Sequence, residues 1–408
     1  MSLKNKKILL IIGGGISAYK SLDLIRLLQR KGSNVKVVLT KSGKKFVTSL
    51  SISSLSKNRV FEEIFDEKTT GKIDHIALSR WADLVLVLPA TANFMSKLSK
   101  GAADDLASTI ILASNKDIFL VPAMNVRMWL HKATQKNLNN LFDYGYKFIG
   151  PENGEMACGE YGKGKMSSPR QILSFLERFF KKKDLLKKKK INAIVTTGPT
   201  KEHIDPVRFI SNESSGKQGY EIALELSRLG INTTLISGPT KINYSKDIKI
   251  KKVVSGKEML EAVKKKLPTH IAVCAAAVSD FRPANFNKNK IKKDNGPNEL
   301  KIEKNPDILS YLGTNNRFKP KILVGFSAET KDIMKNSLKK MNEKYCDIMI
   351  ANDVSKKEFG FDSDFNEVII VDKKGKSQKI KKSSKKFVAS LIAKKIVDTF
   401  FLNEKKLN

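Results

Sequence analysis

Past an apolar strand at Phe119–Val121 the chain reads PAMNVRMW, which sets Asn125, Met128 and Trp129 just beyond the strand end. In an open α/β sheet ligands bind at the carboxyl ends of the strands, so chemistry is expected here. The amide of Asn125 can bind a carboxylate through its NH₂ and still offer its oxygen to a donor. Taken alone, PAMN reads equally well as a turn whose Met and Trp fill the core. Its neighbours favour chemistry. His75, one of four histidines, shares a domain with three strand-end loops, and an imidazole suits a proton carrier. Cys158 sits in PENGEMACGEYGKGKMSSP, which follows Gly150, and the five glycines from Gly150 to Gly164 imply a mobile flap. An exposed thiol there can protonate a carbanion or an enethiolate.

The second half offers a different set. Asn212, Ser214, Ser215, Gly216 and Lys217 precede a long amphipathic helix. They form no P-loop, because the GxxxxGK[ST] spacing is absent, yet they suit an anion at a helix N-terminus. Asp280 ends a strand in AAAVSDFRP, where it can hold a base or a metal-bridged phosphate. Lys290, Lys292 and Lys293 follow, then Asn305-Pro306-Asp307 and the strand end GFSAET. Lys340 and Lys344 share a helical face by their i,i+4 spacing. Lysines gathered in this way offset pyrophosphate charge, with Mg²⁺ taking the rest.

The elements that must position these residues alternate between strand and helix. Lys7–Ile12 is a first strand and enters Gly13-Gly14-Gly15-Ile16-Ser17; a helix follows over Tyr19–Arg30. Val35–Leu39 delivers Thr40 and Ser42 to the same edge. Trp81–Leu88 reads as the next strand and ends in Pro89-Ala90-Thr91-Ala92-Asn93. A helix is expected over Gly101–Ala113 and another over Arg170–Phe180. KKKDLLKKKK at Lys181–Lys190 then reads as a solvated boundary. The second half restarts with strands Ile191–Thr197, Thr233–Ser237, His270–Ala275, Ile322–Phe326 and Tyr345–Asn352, and it closes with a strand pair and a terminal helix. This alternation gives parallel, doubly wound sheets with helices on both faces. The expected boundaries are residues 1–186, a Lys-rich boundary at 187–190, and residues 191–408.

Composition narrows the class. The chain has 408 residues, 41% of them hydrophobic and 21 of them Phe, enough for two cored domains. Its formal charge of +35 suggests nucleic acid when taken alone. The lysines, however, are spread along the whole chain without interleaved aromatic residues, so no nucleic-acid partner is expected. Three scattered cysteines argue against a disulfide framework or a zinc site and fit a reducing compartment. The apolar run Ile8–Ile12 is too short for a signal peptide, and no segment approaches a membrane span.

Several motifs in order, GGGISAYK, DH at Asp74-His75, PATANFMSK, PAMNVRMW, GPTKEHIDPVRFISNESSGKQG, AAAVSDFRP, KIKK, KNPDIL, GFSAET and ANDVS, resemble the bifunctional coenzyme A biosynthesis family. In that family a flavin-dependent phosphopantothenoylcysteine decarboxylase is fused to a phosphopantothenate–cysteine ligase. The resemblance implies two Rossmann-like domains, an N-terminal flavoprotein and a C-terminal ligase, in a cytoplasmic enzyme. The ligase half would activate 4′-phosphopantothenate with CTP as an acyl-cytidylate, and the amine of cysteine would then displace CMP. Asn212 would bind the intermediate and Lys290 would assist its turnover. Asp280, Lys290, Asn305, Pro306, Asp307, Ile308, Phe326, Lys340 and Lys344 would surround CTP. Mg²⁺ would be held mainly through the CTP phosphates, with its protein ligands unassigned. The flavin half would decarboxylate the adduct after FMN transiently oxidises its thiol. Here His75 would handle protons, Asn125 would bind the departing carboxylate, Met128 would line the substrate pocket, and Cys158 would serve the final reduction. Gly15, Ser17, Thr40, Thr91 and Asn93 are the expected FMN contacts. The family pattern further implies a homo-oligomer with trimeric flavin-domain and dimeric ligase-domain contacts. A regulatory flavin-binding relative is the alternative from another class; it would show one domain and an acidic tail.

Overall fold

The continuous apolar run KILLII makes β1 (Lys7–Ile12), a strand buried from Ile8 onward, as expected for the centre of a parallel sheet covered on both faces. The structure is a computed structural model that describes residues 2–64, 74–292, 299–329, 331–353 and 363–405. Lys293, Thr330 and the Val354-Ser355 end of ANDVS lie outside the described residues. The chain divides into two units, Met1–Asp184 and Leu185–Asn408.

In the first unit β1 is followed by α1 (Lys20–Arg30), β2 (Asn34–Leu39), α2 (Ser49–Ser56), β3 (Val60–Phe61) and α3 (Asp74–Trp81). Then come β4 (Leu84–Ala90), α4 (Ala92–Ser99), α5 (Leu106–Ala113), β5 (Asp117–Pro122), α6 (Val126–Leu130), α7 (Lys132–Asp143), β6 (Lys147–Phe148), β7 (Glu152–Glu155), β8 (Tyr161–Lys165) and α8 (Pro169–Lys188). The main sheet has the order β3-β2-β1-β4-β5-β6, with each pair parallel. The chain reverses its winding between β1 and β4, and a crevice at the carboxyl ends is expected there. Period-2 alternation sorts the core. Ile8, Leu10 and Ile12 pack with Leu24 and Leu28 of α1 and Ile172 and Leu176 of α8. Leu9 and Ile11 face the other way, toward Met95 of α4 and Ile110 of α5.

The second unit comprises β9 (Asn192–Thr197), β10 (Lys201–His203), β11 (Phe209–Ser211), α9 (Lys217–Arg228), β12 (Asn232–Ser237), β13 (Lys249–Lys252), α10 (Gly256–Lys264) and β14 (Ile271–Cys274). It continues with β15 (Phe281–Pro283), β16 (Ile302–Lys304), α11 (Ile308–Thr314), β17 (Ile322–Glu329), α12 (Ile333–Glu343), β18 (Ile348–Asp353), β19 (Phe365–Asp372), β20 (Ser377–Ser384) and α13 (Lys385–Lys405). Its eight-stranded sheet runs β13-β12-β9-β14-β17-β18-β19-β20. The first six strands are parallel in the same winding order as the first unit, and β19 and β20 add an antiparallel edge.

Four expectations change. Trp81 ends α3 instead of opening a strand; β4 starts only at Leu84, after Asp83 accepts a hydrogen bond from the backbone N–H of Lys7 at 2.9 Å. The helix expected from Gly101 begins at Leu106, because Asp105 and Ser108 form a capping box there. The lysine run is not a loose linker, since α8 continues through it to Lys188. Lysine is a good helix former, Leu186 is buried within the run, and Lys183 pairs with Asp117 at 2.7 Å. The Gly-rich flap is an antiparallel hairpin, β7 with β8, laid on the PAMN loop. Gly164 has φ 150°, and a Cβ added there would lie 2.4 Å from the carbonyl oxygen of Met124. The glycines therefore permit close packing rather than slackness.

Candidate functional sites at the strand ends

At the carboxyl edge of the first sheet three loops are pressed together. A Cβ on Gly13 would sit 2.3 Å from the carbonyl oxygen of Pro89, and one on Gly14 would sit 2.4 Å from Cβ of Ser42. The Thr40 hydroxyl donates to the carbonyl of Ile12 at 3.0 Å and accepts from the backbone N–H of Gly43 at 3.1 Å. Thr40 thus braces the loops, and its hydroxyl is already engaged. Gly15 has more room, since its nearest neighbours across the gap, Pro89 and Thr91, are 3.7 Å from an added Cβ. Thr91 caps α4 by accepting from the N–H of Phe94, and Asn93 is exposed on the first turn. The Ser17 side chain makes no hydrogen bond among the described residues. A tight glycine turn with a free hydroxyl and exposed polar residues at two helix starts fits a phosphate-bearing flavin.

Asn125 caps α6. Its Oδ1 accepts from the N–H of Met128 at 3.0 Å, and its Nδ2 donates to Oε2 of Glu160 at 2.7 Å. The sequence reading missed Glu160. It lies in the hairpin turn together with Cys158, which is exposed and free. Met128 is 48% exposed, so it stands at the mouth of the edge rather than inside it. His75 lies on the first turn of α3, and its Nδ1 is buried without a hydrogen-bond partner among the described residues. An orphaned ring nitrogen of this kind fits a group that awaits substrate or a neighbouring subunit. Asn125 and Cys158 are thus brought together through Glu160, and no described contact joins His75 to them.

The second unit lines a half-open cavity of about 840 Å³ at the corresponding edge. Its wall contains Asn212, Asp280, Asn305, Pro306, Asp307, Ile308, Phe326, Lys340 and Lys344. Asn305 is fixed, donating to the carbonyl of Ser279 at 3.0 Å. Asp307 caps α11 through the N–H of Ser310 at 2.8 Å and pairs with Lys344 at 2.6 Å. Burial would raise the Asp307 carboxyl, but the Lys344 hydrogen bond and the capped N–H outweigh it and hold the group below the usual carboxylate range. Lys340 is half-buried without an ion pair among the described residues, so its charge is available to an anion. Glu213, next to Asn212, also lines the wall, as do Ser214–Lys217 at the start of α9.

Lys290 differs. It is exposed and not part of that wall. The backbone beside it is anchored: the N–H of Ile291 donates to Asp205 at 3.2 Å, and its carbonyl accepts from Arg208 at 2.8 Å. Arg208 in turn makes a two-pronged pair with the buried Asp205, which holds that carboxyl well below its usual range. The cavity wall also holds residues the sequence reading did not assign, namely Gln218, Asn352, Asn366 and the buried Lys385. Asn366 donates to Gln218 at 3.2 Å and Gln218 to the carbonyl of Lys385 at 3.0 Å. Asn352 is the penultimate residue of β18, a strand that the pattern did reveal. The other three are joined only across about 150 residues, which no local pattern shows. Among the described residues, no three His, Cys, Asp or Glu side chains gather as a metal site, and no helix is long and apolar enough to cross a membrane.

Comparison with known proteins agrees with both halves. Residues 1–181 match the Flavoprotein family, and residues 186–400 match the family described as DNA/pantothenate metabolism flavoprotein C-terminal domain. The coenzyme A biosynthesis bifunctional protein CoaBC of Haemophilus influenzae is 40% identical over 393 residues, 96% of this chain and 97% of that protein. The protein of the same name from Bacillus subtilis is 39% identical over 396 residues, 97% of each. A crystal structure of the C-terminal domain of such a protein is 33% identical and covers 52% of this chain and 96% of its own, with a TM-score of 0.44. The chain belongs to the family of bifunctional coenzyme A biosynthesis proteins, with phosphopantothenate–cysteine ligase and phosphopantothenoylcysteine decarboxylase activities.

Proposed function

We propose that residues 191–408 carry out the ligation with CTP and residues 1–186 the decarboxylation with FMN, joined by the Lys-rich residues 187–190. The observation that carries the ligase assignment is the single wall on which Asn212, Asp280, Asn305–Ile308, Phe326, Lys340 and Lys344 meet. A free carboxylate is a poor electrophile, so 4′-phosphopantothenate is first joined to CTP as an acyl-cytidylate, with release of pyrophosphate. Lys340 and Lys344 offset the triphosphate charge, and Mg²⁺ enters with those phosphates. Asn305 and Asp307 fix the floor of the nucleotide site, and Asn212 holds the acyl-cytidylate. The cysteine amine then displaces CMP, with Lys290 assisting from its anchored loop.

In the flavin unit Gly15, Ser17, Thr91 and Asn93 hold FMN, while Thr40 braces their loops. Bound FMN supplies a reversible two-electron oxidation of the substrate's CH₂–SH group. His75 accepts the proton released there. Asn125 presents an N–H to the adjacent carboxylate, which leaves as CO₂ and places its electron pair in an enethiolate. The Cys158 thiol gives its proton to the carbon that lost CO₂. Bound FMN would supply both the initial oxidation and its reversal, so no net oxidation occurs.

The unpartnered Nδ1 of His75 and the exposed Ile16, Tyr19, Leu50, Leu130 and Tyr161 support a homo-oligomer in which a second copy completes the flavin site, with trimeric contacts in this unit and dimeric ones in the ligase. Three free cysteines support a reducing, cytoplasmic setting. The test is one incubation with 4′-phosphopantothenate, cysteine, Mg²⁺ and CTP, read by mass spectrometry. 4′-Phosphopantetheine is the expected product. Adduct alone would mean an FMN-free first unit, and adduct formed only with ATP would overturn the nucleotide assignment.

A further inference from the structure

Asn125 has two N–H donors on Nδ2, and its Oδ1 is committed to the N-terminus of α6. That commitment fixes which way the amide faces, with its nitrogen outward. One of the outward donors is taken by Glu160 at 2.7 Å, a residue 35 positions further along the chain. The turn that carries Glu160 is closed on itself: the N–H of Met156 donates to the carbonyl of Glu160 at 2.9 Å, and the N–H of Gly159 to the carbonyl of Met156 at 3.0 Å. Cys158 is held inside this ring, exposed and without a side-chain partner among the described residues. Three further contacts press the hairpin on the same loop. The N–H of Met124 donates to the carbonyl of Gly164 at 3.1 Å. Gly162 faces Val126 with 3.0 Å for an added Cβ. Lys163 lies 5.9 Å from the Trp129 ring centroid. Of all these ties, the bond from Glu160 to Asn125 is the one made between side chains with a charged acceptor, and such bonds are the shorter and stronger kind.

We infer that Glu160 is a positioning residue for the decarboxylase: it holds the Asn125 amide with one N–H free for the substrate carboxylate, and it ties the Cys158 turn over the same point. This rests on the roles proposed above for Asn125 and Cys158. The consequence is a coupling between two steps. The residue that receives the departing carboxylate is hydrogen-bonded to the turn that carries the proton donor, so the donor is seated where CO₂ leaves. Without Glu160 the carboxylate still meets an amide, but the thiol is no longer held at the correct distance. The final protonation should therefore suffer more than the loss of CO₂, because misplacing a donor by about an ångström costs on the order of 100-fold.

The test uses the full-length FMN-loaded protein and phosphopantothenoylcysteine, with CO₂ and both sulfur products quantified. Glu160→Ala should raise the share of decarboxylated, unreduced product by about tenfold while CO₂ release falls by less than about threefold. Glu160→Gln keeps an acceptor oxygen and should restore the wild-type partition within about twofold. Hydrogen exchange of residues 152–165 in the flavin-free protein gives a readout apart from turnover; it should quicken in the Ala variant and not in the Gln variant. An Ala variant with wild-type partition and intact flavin would overturn the proposal. So would unchanged exchange of the hairpin. If the Ala variant fails to fold, a Gln variant with native exchange but a tenfold shifted partition would overturn it as well. Cys158→Ser, run alongside, separates the two readings. If that variant makes reduced product normally, the role of Cys158 falls and that of Glu160 with it; if it stalls while Glu160→Ala does not, Glu160 alone is misassigned.

Discussion

In the first unit the loops after β1, β2 and β4 close on one another and leave Asn93 and Cys158 exposed at the edge, whereas in the second unit the same edge lines a half-open cavity of about 840 Å³. The strand order is shared, so the difference comes from what is added beyond the strands. The first unit adds a hairpin that lies on the PAMN loop. The second adds two short ribbons, β10 with β11 and β15 with β16, and the antiparallel edge of β19 and β20. A nucleotide triphosphate needs many simultaneous contacts, and one chain can supply them from one wall. A planar flavin against a small thiol needs few contacts from one chain, and His75 keeps a buried Nδ1 without a hydrogen-bond partner among the described residues. A scaffold of this kind fixes where ligands bind, and its additions decide what binds.

The sharpest way to break this comparison is to disable one edge and watch the other. Cys158→Ser should leave ligation intact and slow the final reduction by about 10²–10⁴-fold, the usual worth of a positioned proton donor. Product ratios by mass spectrometry check it; normal amounts of reduced product would remove Cys158 from the mechanism. The reciprocal variant is Lys344→Met. It deletes a cation on the cavity wall and unpairs Asp307, so KM for CTP should rise by about tenfold or more. Decarboxylation of preformed adduct should be unchanged.

The carboxyl edges were largely legible because glycines, prolines and small polar residues cluster where a strand stops, and those residue types have local reasons to be there. The parallel architecture followed from period alone. What stayed hidden depended on long-range partners. Glu160 reads as one more flap acid until its bond to Asn125 is seen. The hairpin of β7 and β8 is glycine-rich for close approach, which local composition cannot tell from mobility. The lysine run reads as linker, since the pairing of Lys183 with Asp117 and the burial of Leu186 lie outside any helical window. Lys290, placed by resemblance beside CTP, stands outside the wall, because the backbone next to it is anchored at Asp205 and Arg208, which are not wall residues.

A gentler variant probes how tightly the open edge is built. Gly13→Ala places a methyl 2.3 Å from the backbone oxygen of Pro89, which cannot move without shifting β4. Overpacking of this kind costs about 1–3 kcal/mol, or roughly 2–10 °C in the melting of a unit of this size, and flavin content should fall with it. A variant of wild-type stability and full flavin content would show that the loop after β1 has slack the geometry denies.

The smallest effect tests the opposite edge. Asp117 opens β5 at its amino end, away from Asn125, and lies between Lys147 and Lys183, each at 2.7 Å. Burial alone would raise its carboxyl, yet the two ammonium groups outweigh that and depress it. A carboxyl depressed in the folded state binds protons more readily when unfolded, so stability rises with pH across this range. The contribution is complete above the unfolded value of about 3.9 and is lost as pH falls through it toward the lower folded value. Asp117→Asn should therefore cost about 1–2 kcal/mol at pH 7, discounted for the partly exposed lysines, and the gap to wild type should close as the solution is acidified below about pH 4. Urea unfolding at both pH values measures it. Both reactions should keep their kinetic constants, because the amino edge holds the strand in place and takes no part in the chemistry. A change in KM or kcat from this position would mean that the two edges are coupled through β5, and the division between a stabilising edge and a chemical one would no longer stand.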